Sequence, residues 1–471
     1  MKALNLLIPV FISGACAMVV ELGGSRIIAP YLGTTIYTWA AVIGLVLAAL
    51  SLGYYYGGNL ADKYKDRKYL ARIFFFAAFC TLLIPVIAKF ILPFTLLFPL
   101  AIASIISALI LVPASVFYGM VSPYAIRLLS EGVRIGRSSG EVFALSTVGS
   151  IAGTLGTGFL LIPYFSITWI FVGAAVAMIG CGFLVHKKMN PVDVCMFCLF
   201  LFPAGFMSFA LYSSGNLVYQ TNSEYYTISV YDNITIGNGS TRVLRLDDAY
   251  STGEYPDGSP AFGYVIEARE AYNISKNPKR ALVIGVGGGT QVEELKKAFP
   301  DMMVDGVEID RKVIQTGETY FSLKKDNRTD IIIDDGRRFV KTTDRKYDLV
   351  VIDVFRGKGI PSHMTTLEFV KELKNVTNPN AVVIINVIST FDGEKSRFLQ
   401  LIYNTYSEEF SNVMVMPLGS EPDKSQNIIL IATDADVSDF VAMNPGKIRE
   451  YKPATNETIT DDKNPSEIMV Q

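Results

Sequence analysis

Seven apolar stretches, at residues 4–21, 36–58, 70–91, 93–122, 141–163, 165–185 and 192–212, crowd into the first 220 residues of this 471-residue chain. A helix needs about 20 apolar residues to cross a bilayer, and buried helices of a soluble core do not follow one another in so many runs with so few charges. The first stretch does not read as a cleaved leader. No clear small-x-small cleavage site ends it, and Glu21, Arg26 and a second apolar stretch follow. Only 18% of the chain is charged, below the ~25% of a soluble domain, which excludes a disordered or nucleic-acid-binding protein. The charge is also divided. The first 220 residues hold 13 basic and 6 acidic side chains, and the remainder holds 29 and 38.

Those cations imply an orientation. Lys63, Lys65, Arg67 and Lys68 lie between stretches two and three with Arg72 at the start of the third, Arg127, Arg134 and Arg137 lie between four and five, and Lys187 and Lys188 between six and seven. Together with Lys2 they put the N-terminus in the cytoplasm, against Arg26 and Lys89 on the other side. Seven crossings then make residues 221–471 extracytoplasmic. The sequons at Asn233, Asn238, Asn273, Asn327, Asn375 and Asn456, all beyond residue 220, agree with that placement. Cys16, Cys80, Cys181, Cys195 and Cys198 all lie in apolar stretches, so neither a disulfide framework nor a metal site is expected. Gly57-Gly58-Asn59-Leu60-Ala61-Asp62-Lys63 resembles a cytoplasmic loop of major facilitator transporters. Six helices plus one resemble half a facilitator with a tether, which implies a homodimer if the unit transports. Glu21 and Arg26 read as an interfacial pair or a substrate contact.

Beyond residue 220 the pattern alternates. Tyr226–Tyr231 and Thr241–Leu246 predict an antiparallel hairpin turning at Asn238-Gly239. Short apolar runs at 281–285, 302–309, 329–333, 347–353, 381–387, 412–417 and 427–432 then predict a parallel sheet covered by helices on both faces. The first run ends in Gly285-Val286-Gly287-Gly288-Gly289-Thr290, with a helix from about Gln291. Glu308 ends the second run, where a carboxylate can accept both hydroxyls of a ribose. Strand, glycine loop, helix, strand and acid at this spacing read as a nucleoside site.

These segments resemble the spermidine synthases (polyamine aminopropyltransferases), and most closely their membrane-fused, facilitator-plus-synthase form. The resemblance rests on Leu282–Gly289, Val307-Glu308-Ile309-Asp310, Asp335-Gly336-Arg337-Arg338-Phe339, Tyr347–Asp353, Ile360–Phe369 and the tail Thr460-Asp461-Asp462-Lys463-Asn464-Pro465. It implies an α-helical polytopic membrane domain (1–215), a β-hairpin element and linker (216–275), and an α/β doubly wound, methyltransferase-type Rossmann domain (276–471). It further implies decarboxylated S-adenosylmethionine or S-adenosylmethionine as donor. Gly285, Gly287, Gly288 and Gly289 would line the donor loop, Glu308 would hold the ribose, and Asp335 with Gly336 would meet the adenine edge. Asp353 would orient and deprotonate an attacking amine, and the family's Tyr-His-Glu element appears as Tyr264-Val265-Ile266-Glu267, which makes Tyr264 a further catalytic candidate.

The chain departs from the family where the transferred group and its acceptor would sit. The aspartate of the glycine loop is Gly288, the hairpin glutamine is Tyr226, and the second aspartate after the fourth strand is replaced by a run containing Arg356 and Lys358. Cations there disfavour a polyamine and favour an anionic or sugar-like acceptor. The expected function is a membrane-bound transferase using an S-adenosyl-type donor on an acceptor other than a standard polyamine. The alternative is an extracytoplasmic enzyme on surface glycans or other secreted substrate, without a nucleoside cofactor, using Asp353, His363, Glu224, Asp461 and Asp462 as acids and bases. A transport or sensing module is the third reading. The expected partners are the lipid bilayer and a small-molecule or glycan substrate, with no nucleic acid and no metal.

Overall fold

The structure, a computed structural model, describes residues 4–32, 36–95, 97–130, 135–186, 216–237, 239–247, 249–355 and 359–465. The chain divides into two compact units, residues 1–215 with 221–227, and residues 216–220 with 228–471.

In the first unit six helices are long and apolar enough to cross a membrane: α1 (Leu4–Leu32), α2 (Ile36–Lys63), α3 (Arg67–Thr95), α4 (Leu100–Leu129), α5 (Ile135–Tyr164) and α6 (Ile167–Val185). The proline-rich region after residue 93 ends α3 and then forms α4, one long apolar helix rather than two. The seventh stretch, 192–212, lies outside the described residues, as do Lys187, Lys188, Cys195 and Cys198. Where apolar helices pack without water to expel, close backbone approach supplies the attraction, and small residues permit it here. A Cβ on Gly149 of α5 would lie 2.1 Å from the Phe11 carbonyl oxygen of α1, and one on Gly153 would lie 2.3 Å from that of Ala15. At the cation-bearing ends of α2 and α4, Asp62 pairs with Arg127 at 2.8 Å.

The predicted hairpin is present as β2 (Thr227–Ile236) and β3 (Gly239–Leu246), and it is extended to four strands by β1 (Leu217–Asn222) and β4 (Ala249–Glu254), in the order β1-β2-β3-β4. Asn238, assigned to its turn, lies outside the described residues. Arg242 on β3 is held by Asp232 at 2.6 Å and donates to the Tyr320 carbonyl at 3.0 Å, which joins this sheet to the α/β core.

All seven apolar runs form strands: β5 (Arg280–Ile284), β6 (Met303–Glu308), β7 (Thr329–Ile333), β8 (Tyr347–Ile352), β9 (Thr377–Ser389), β10 (Asn412–Pro417) and β11 (Gln426–Thr433). Their order is β10-β11-β9-β8-β5-β6-β7. The sheet is mixed, not wholly parallel. Strands β5 to β9 pair in parallel, but β11 runs antiparallel to both β9 and β10, because the short connection from Pro417 to Gln426 turns the chain back as a hairpin. Alternate residues of the central strands enter two cores. Leu282, Ile284, Val350 and Ile352 pack with helices α10 (Gly336–Thr342), α11 (Leu367–Asn375) and α12 (Arg397–Ser407). Ala281, Val283, Leu349 and Val351 pack with α7 (Gly263–Tyr272), α8 (Thr290–Ala298) and α9 (Arg311–Tyr320). At the amino edge of the sheet, fully buried Asp305 is paired with Arg280 at 2.8 Å and Arg345 at 2.9 Å and accepts from the Tyr347 hydroxyl at 2.8 Å. The strand order reverses between β5 and β8, so the carboxyl ends of these two strands form the switch point where α/β sheets bind ligands.

Gly153→Leu is expected to force α1 and α5 apart, costing ~1–3 kcal/mol or more and lowering the melting temperature of the detergent-purified chain. Gly140→Leu on the same helix, where a Cβ meets nothing within 4 Å, should melt near wild type. Equal melting of the two variants would contradict this packing.

Candidate functional site

Gly285 (φ 87°) and Gly289 (φ 96°) turn the chain from β5 into α8 through left-handed conformations that side chains with a Cβ rarely adopt. Their surroundings exclude a Cβ as well. At Gly285 it would lie 2.3 Å from the Asp353 carbonyl oxygen, and at Gly289 2.6 Å from Leu323 Cβ. Strand β4 lies against this loop, and the amide of Gly288 donates to Thr252 Oγ1 at 2.8 Å. A Cβ on Gly288 would meet Thr252 Cγ2 at 2.7 Å and the Phe321 ring at 3.1 Å. Glycine therefore stands at 288 because Thr252 and Phe321 already fill the space an aspartate would need.

Glu308, at the carboxyl end of β6 and only 7% exposed, faces the same loop. Its Oε2 accepts from the amides of Val286 and Gly287, both at 3.2 Å, and its Oε1 from that of Asp310 at 3.2 Å. Burial still pushes the carboxyl above the usual carboxylate range against these donors.

Asp353 follows β8 directly, and its amide donates to the Ile284 carbonyl at 2.9 Å. Its half-buried side chain accepts from Asn386 Nδ2 at 3.1 Å, and the Tyr264 phenol, whose hydroxyl donates to the Ser251 carbonyl at 3.4 Å, acts on its charge. Burial pushes its carboxyl up to about 6, opposed by Asn386 and Tyr264. Burial and the Asp353 charge together hold the Tyr264 phenol well above its ordinary value. Asn427 Nδ2 donates to Asn386 Oδ1 at 2.9 Å, which fixes which end of the Asn386 amide faces Asp353. The sequence reading missed Thr252, Asn386 and Asn427. The only signal for the last two was a single amide in each of the otherwise apolar runs 381–387 and 427–432.

Asp335 caps α10, its Oδ1 accepting from the Arg338 amide at 3.0 Å, while its Oδ2 lies 3.0 Å from His363 Nε2. Burial raises the Asp335 carboxyl, but the Arg338 amide and His363 outweigh it and leave it below the ordinary range. Gly336 begins the helix, and a Cβ there would collide with Ile284 at 2.4 Å. His363, on the short turn Ser362–Met364, thus pairs with Asp335. The carboxylate of Asp461 is taken by Arg337, at 2.7 and 2.8 Å, and held down to about 2 chiefly by it. Asp462 is exposed. Glu224 and Tyr226 belong to the first unit, in the loop from Ser223 to Tyr226, where Arg26 donates to the carbonyl oxygens of Glu224 and of Tyr225 (the latter at 2.7 Å). Arg356 and Lys358 lie outside the described residues. Among the described residues no cluster of three or more His, Cys, Asp or Glu side chains could hold a metal.

Residues 269–418 match the spermine/spermidine synthase domain family. The chain is 29% identical over 197 residues to a polyamine aminopropyltransferase of Vibrio vulnificus, covering 40% of this chain and 62% of that one. It is 25% identical over 401 residues to polyamine aminopropyltransferase 2 of Aquifex aeolicus, covering 81% of this chain and 78% of the relative. The chain spans less than two thirds of the Vibrio relative. A crystal structure of a probable spermidine synthase from Corynebacterium glutamicum aligns with a TM-score of 0.44 and 17% identity, over 53% of this chain and 97% of that one. The C-terminal part of the chain, at residues 269–418, is a spermine/spermidine synthase domain.

Proposed function

We propose that this protein is a membrane-bound transferase that takes a group from an S-adenosyl-type donor, with Asp353 as its principal catalytic carboxylate. The reading is carried by the position of Asp353 at the switch point, one backbone hydrogen bond from the glycine loop and held by Asn386. With decarboxylated S-adenosylmethionine, an acceptor amine attacks the aminopropyl carbon beside the sulfonium. The new C–N bond forms as the C–S bond breaks, the bond pair stays on sulfur, and methylthioadenosine leaves as a neutral thioether. The proton lost by the amine passes to Asp353. Glu308 and Asp335 would hold the ribose and the base. Gly288, walled by Thr252 and Phe321, leaves the loop without the carboxylate that would grip the donor's amino end. The cationic run at Arg356 and Lys358 favours an acceptor other than a polyamine.

Calorimetry with methylthioadenosine, S-adenosylmethionine and its decarboxylated form tests the reading, and failure of all three to bind would overturn it. Asp353→Asn is expected to keep methylthioadenosine binding while turnover falls roughly 100- to 10,000-fold. Six crossings by the described apolar helices would return the chain to the side of its N-terminus at Val185, and a seventh by residues 192–212 would carry residues 221–471 to the other side. S-adenosyl donors are made in the cytoplasm. Protection of the C-terminal unit from external protease in intact cells therefore favours the donor reading, and glycan on Asn233 or Asn273 favours the extracytoplasmic glycan-active one.

The Asp353 carboxyl also predicts a pH dependence. A carboxyl whose folded value lies near 6, above its ordinary 3.8, binds its proton more tightly in the folded state. Stability therefore falls as pH rises from 3.8 through 6 and is level beyond. Asp353→Asn should melt higher than wild type at pH 8, and that gain should vanish below pH 3.8. A gain independent of pH would refute the assignment.

A further inference from the structure

Arg337 is 7% exposed, and each of its five guanidinium N–H groups has a partner. Nε donates to Glu372 Oε2 at 2.8 Å and Nη2 to Glu372 Oε1 at 2.9 Å. Nη1 and Nη2 donate to the two oxygens of Asp461 at 2.7 and 2.8 Å. The remaining N–H, on Nη1, goes to the carbonyl of His363 at 2.9 Å. Two bidentate carboxylates and a carbonyl saturate the planar fork, a geometry that a lysine cannot reproduce.

The same turn is gripped a second time. Asn464 Nδ2 donates to the Ser362 carbonyl at 2.6 Å and to Thr365 Oγ1 at 3.2 Å. The tail that carries Asp461 and Asn464 has its own anchors. Ile459 is fully buried, its carbonyl accepts from the Leu367 amide at 2.7 Å, and its amide donates to Thr405 Oγ1 at 3.0 Å. The Asp461 amide donates to Glu368 Oε2 at 3.0 Å. Two successive carbonyls, those of Ser362 and His363, are therefore held by groups that the tail supplies or orients. The imidazole between them is half exposed, and its nearest charged neighbour is Asp335 Oδ2 at 3.0 Å.

We infer that residues 459–464 are a strap that sets base specificity, acting through Arg337 and the Ser362–His363 turn to fix the Asp335–His363 pair at the base edge. The inference rests on the nucleoside reading above. Asp335 Oδ1 is committed to capping α10, so Oδ2 is the oxygen that meets an exocyclic amine, and His363 decides how it is presented. Asp461, Arg337 and Asn464 are positioning residues and need not touch the ligand.

The test compares calorimetric affinities for methylthioadenosine and methylthioinosine, which differ in the group facing Asp335. Wild type should prefer the adenosine by roughly tenfold or more, the worth of a hydrogen bond to a charged group. Asp461→Asn and, more mildly, Asn464→Ala should bring the two affinities to within about threefold, with Asp461→Glu recovering part of the preference. Asn464→Ala keeps the buried ion pairs and serves if Asp461→Asn fails to fold. A tail that merely stabilises the domain would lower the melting temperature of the variants and leave the ratio of the two affinities unchanged, which would overturn the inference alone. Wild type that binds neither nucleoside would overturn the nucleoside reading and the inference with it.

Discussion

The turn after β5 approaches the end of β8 so closely that no side chain fits between them. Asp353 donates its amide to the Ile284 carbonyl, and a Cβ on Gly285 would lie 2.3 Å from the Asp353 carbonyl oxygen. A side chain there would push the end of β8 aside and carry the Asp353 carboxyl away from Tyr264 and Asn386. One backbone contact thus joins the loop that would receive a donor to the acid that would act on an acceptor. The strand order explains why the contact exists at all. Only where the order reverses do two adjacent parallel strands send their following segments to opposite faces and leave a crevice.

Three carboxylates surround that crevice, and their environments separate them. Glu308 and Asp353 are raised by burial, whereas Asp335 is lowered by a helix-start amide and His363 despite burial. Glu308 is bound by three amides, which fixes its rotamer and suits it to holding hydroxyls. Asp353 accepts from Asn386 and is pushed by burial up to about 6, where a carboxyl can exchange a proton close to neutral pH. Asp335 stays anionic and suits an amine donor. Different neighbours have given one functional group three distinct capacities.

Much of this was legible along the chain. Runs buried on both faces announced β5 to β11, because a strand in the middle of a covered sheet has no polar side to show. Gly285, Gly287 and Gly289, all at positive φ, were legible because few other residues tolerate that backbone. The direction of β11 was not, since the side-chain pattern of a buried strand is the same whichever way it runs. Thr252, Asn386 and Asn427 were hidden for a related reason. Each is an ordinary residue type whose role comes from a partner 36, 33 or 41 positions away. Arg337 and Asp461 were visible as charges, but a pairing across 124 residues leaves no local spacing to detect. Asp461 read as a candidate acid or base because only its type and its motif were in view.

The substitution at Gly288 acquires a cause once Thr252 is in place. An aspartate there would have to displace both the Thr252 methyl and the Phe321 ring, while the amide of the same residue is held by the Thr252 hydroxyl. The loss of that charge is therefore built into the packing of β4 on the loop. Restoring the carboxylate alone would strain the loop without rebuilding a grip on a cationic donor end, because its space belongs to another strand. The room beside the loop at residue 288 is set by how β4 packs on the α/β core. Asp353, one strand further along, is held instead by Asn386 and the Ile284 carbonyl, so the packing at residue 288 leaves its carboxyl in place.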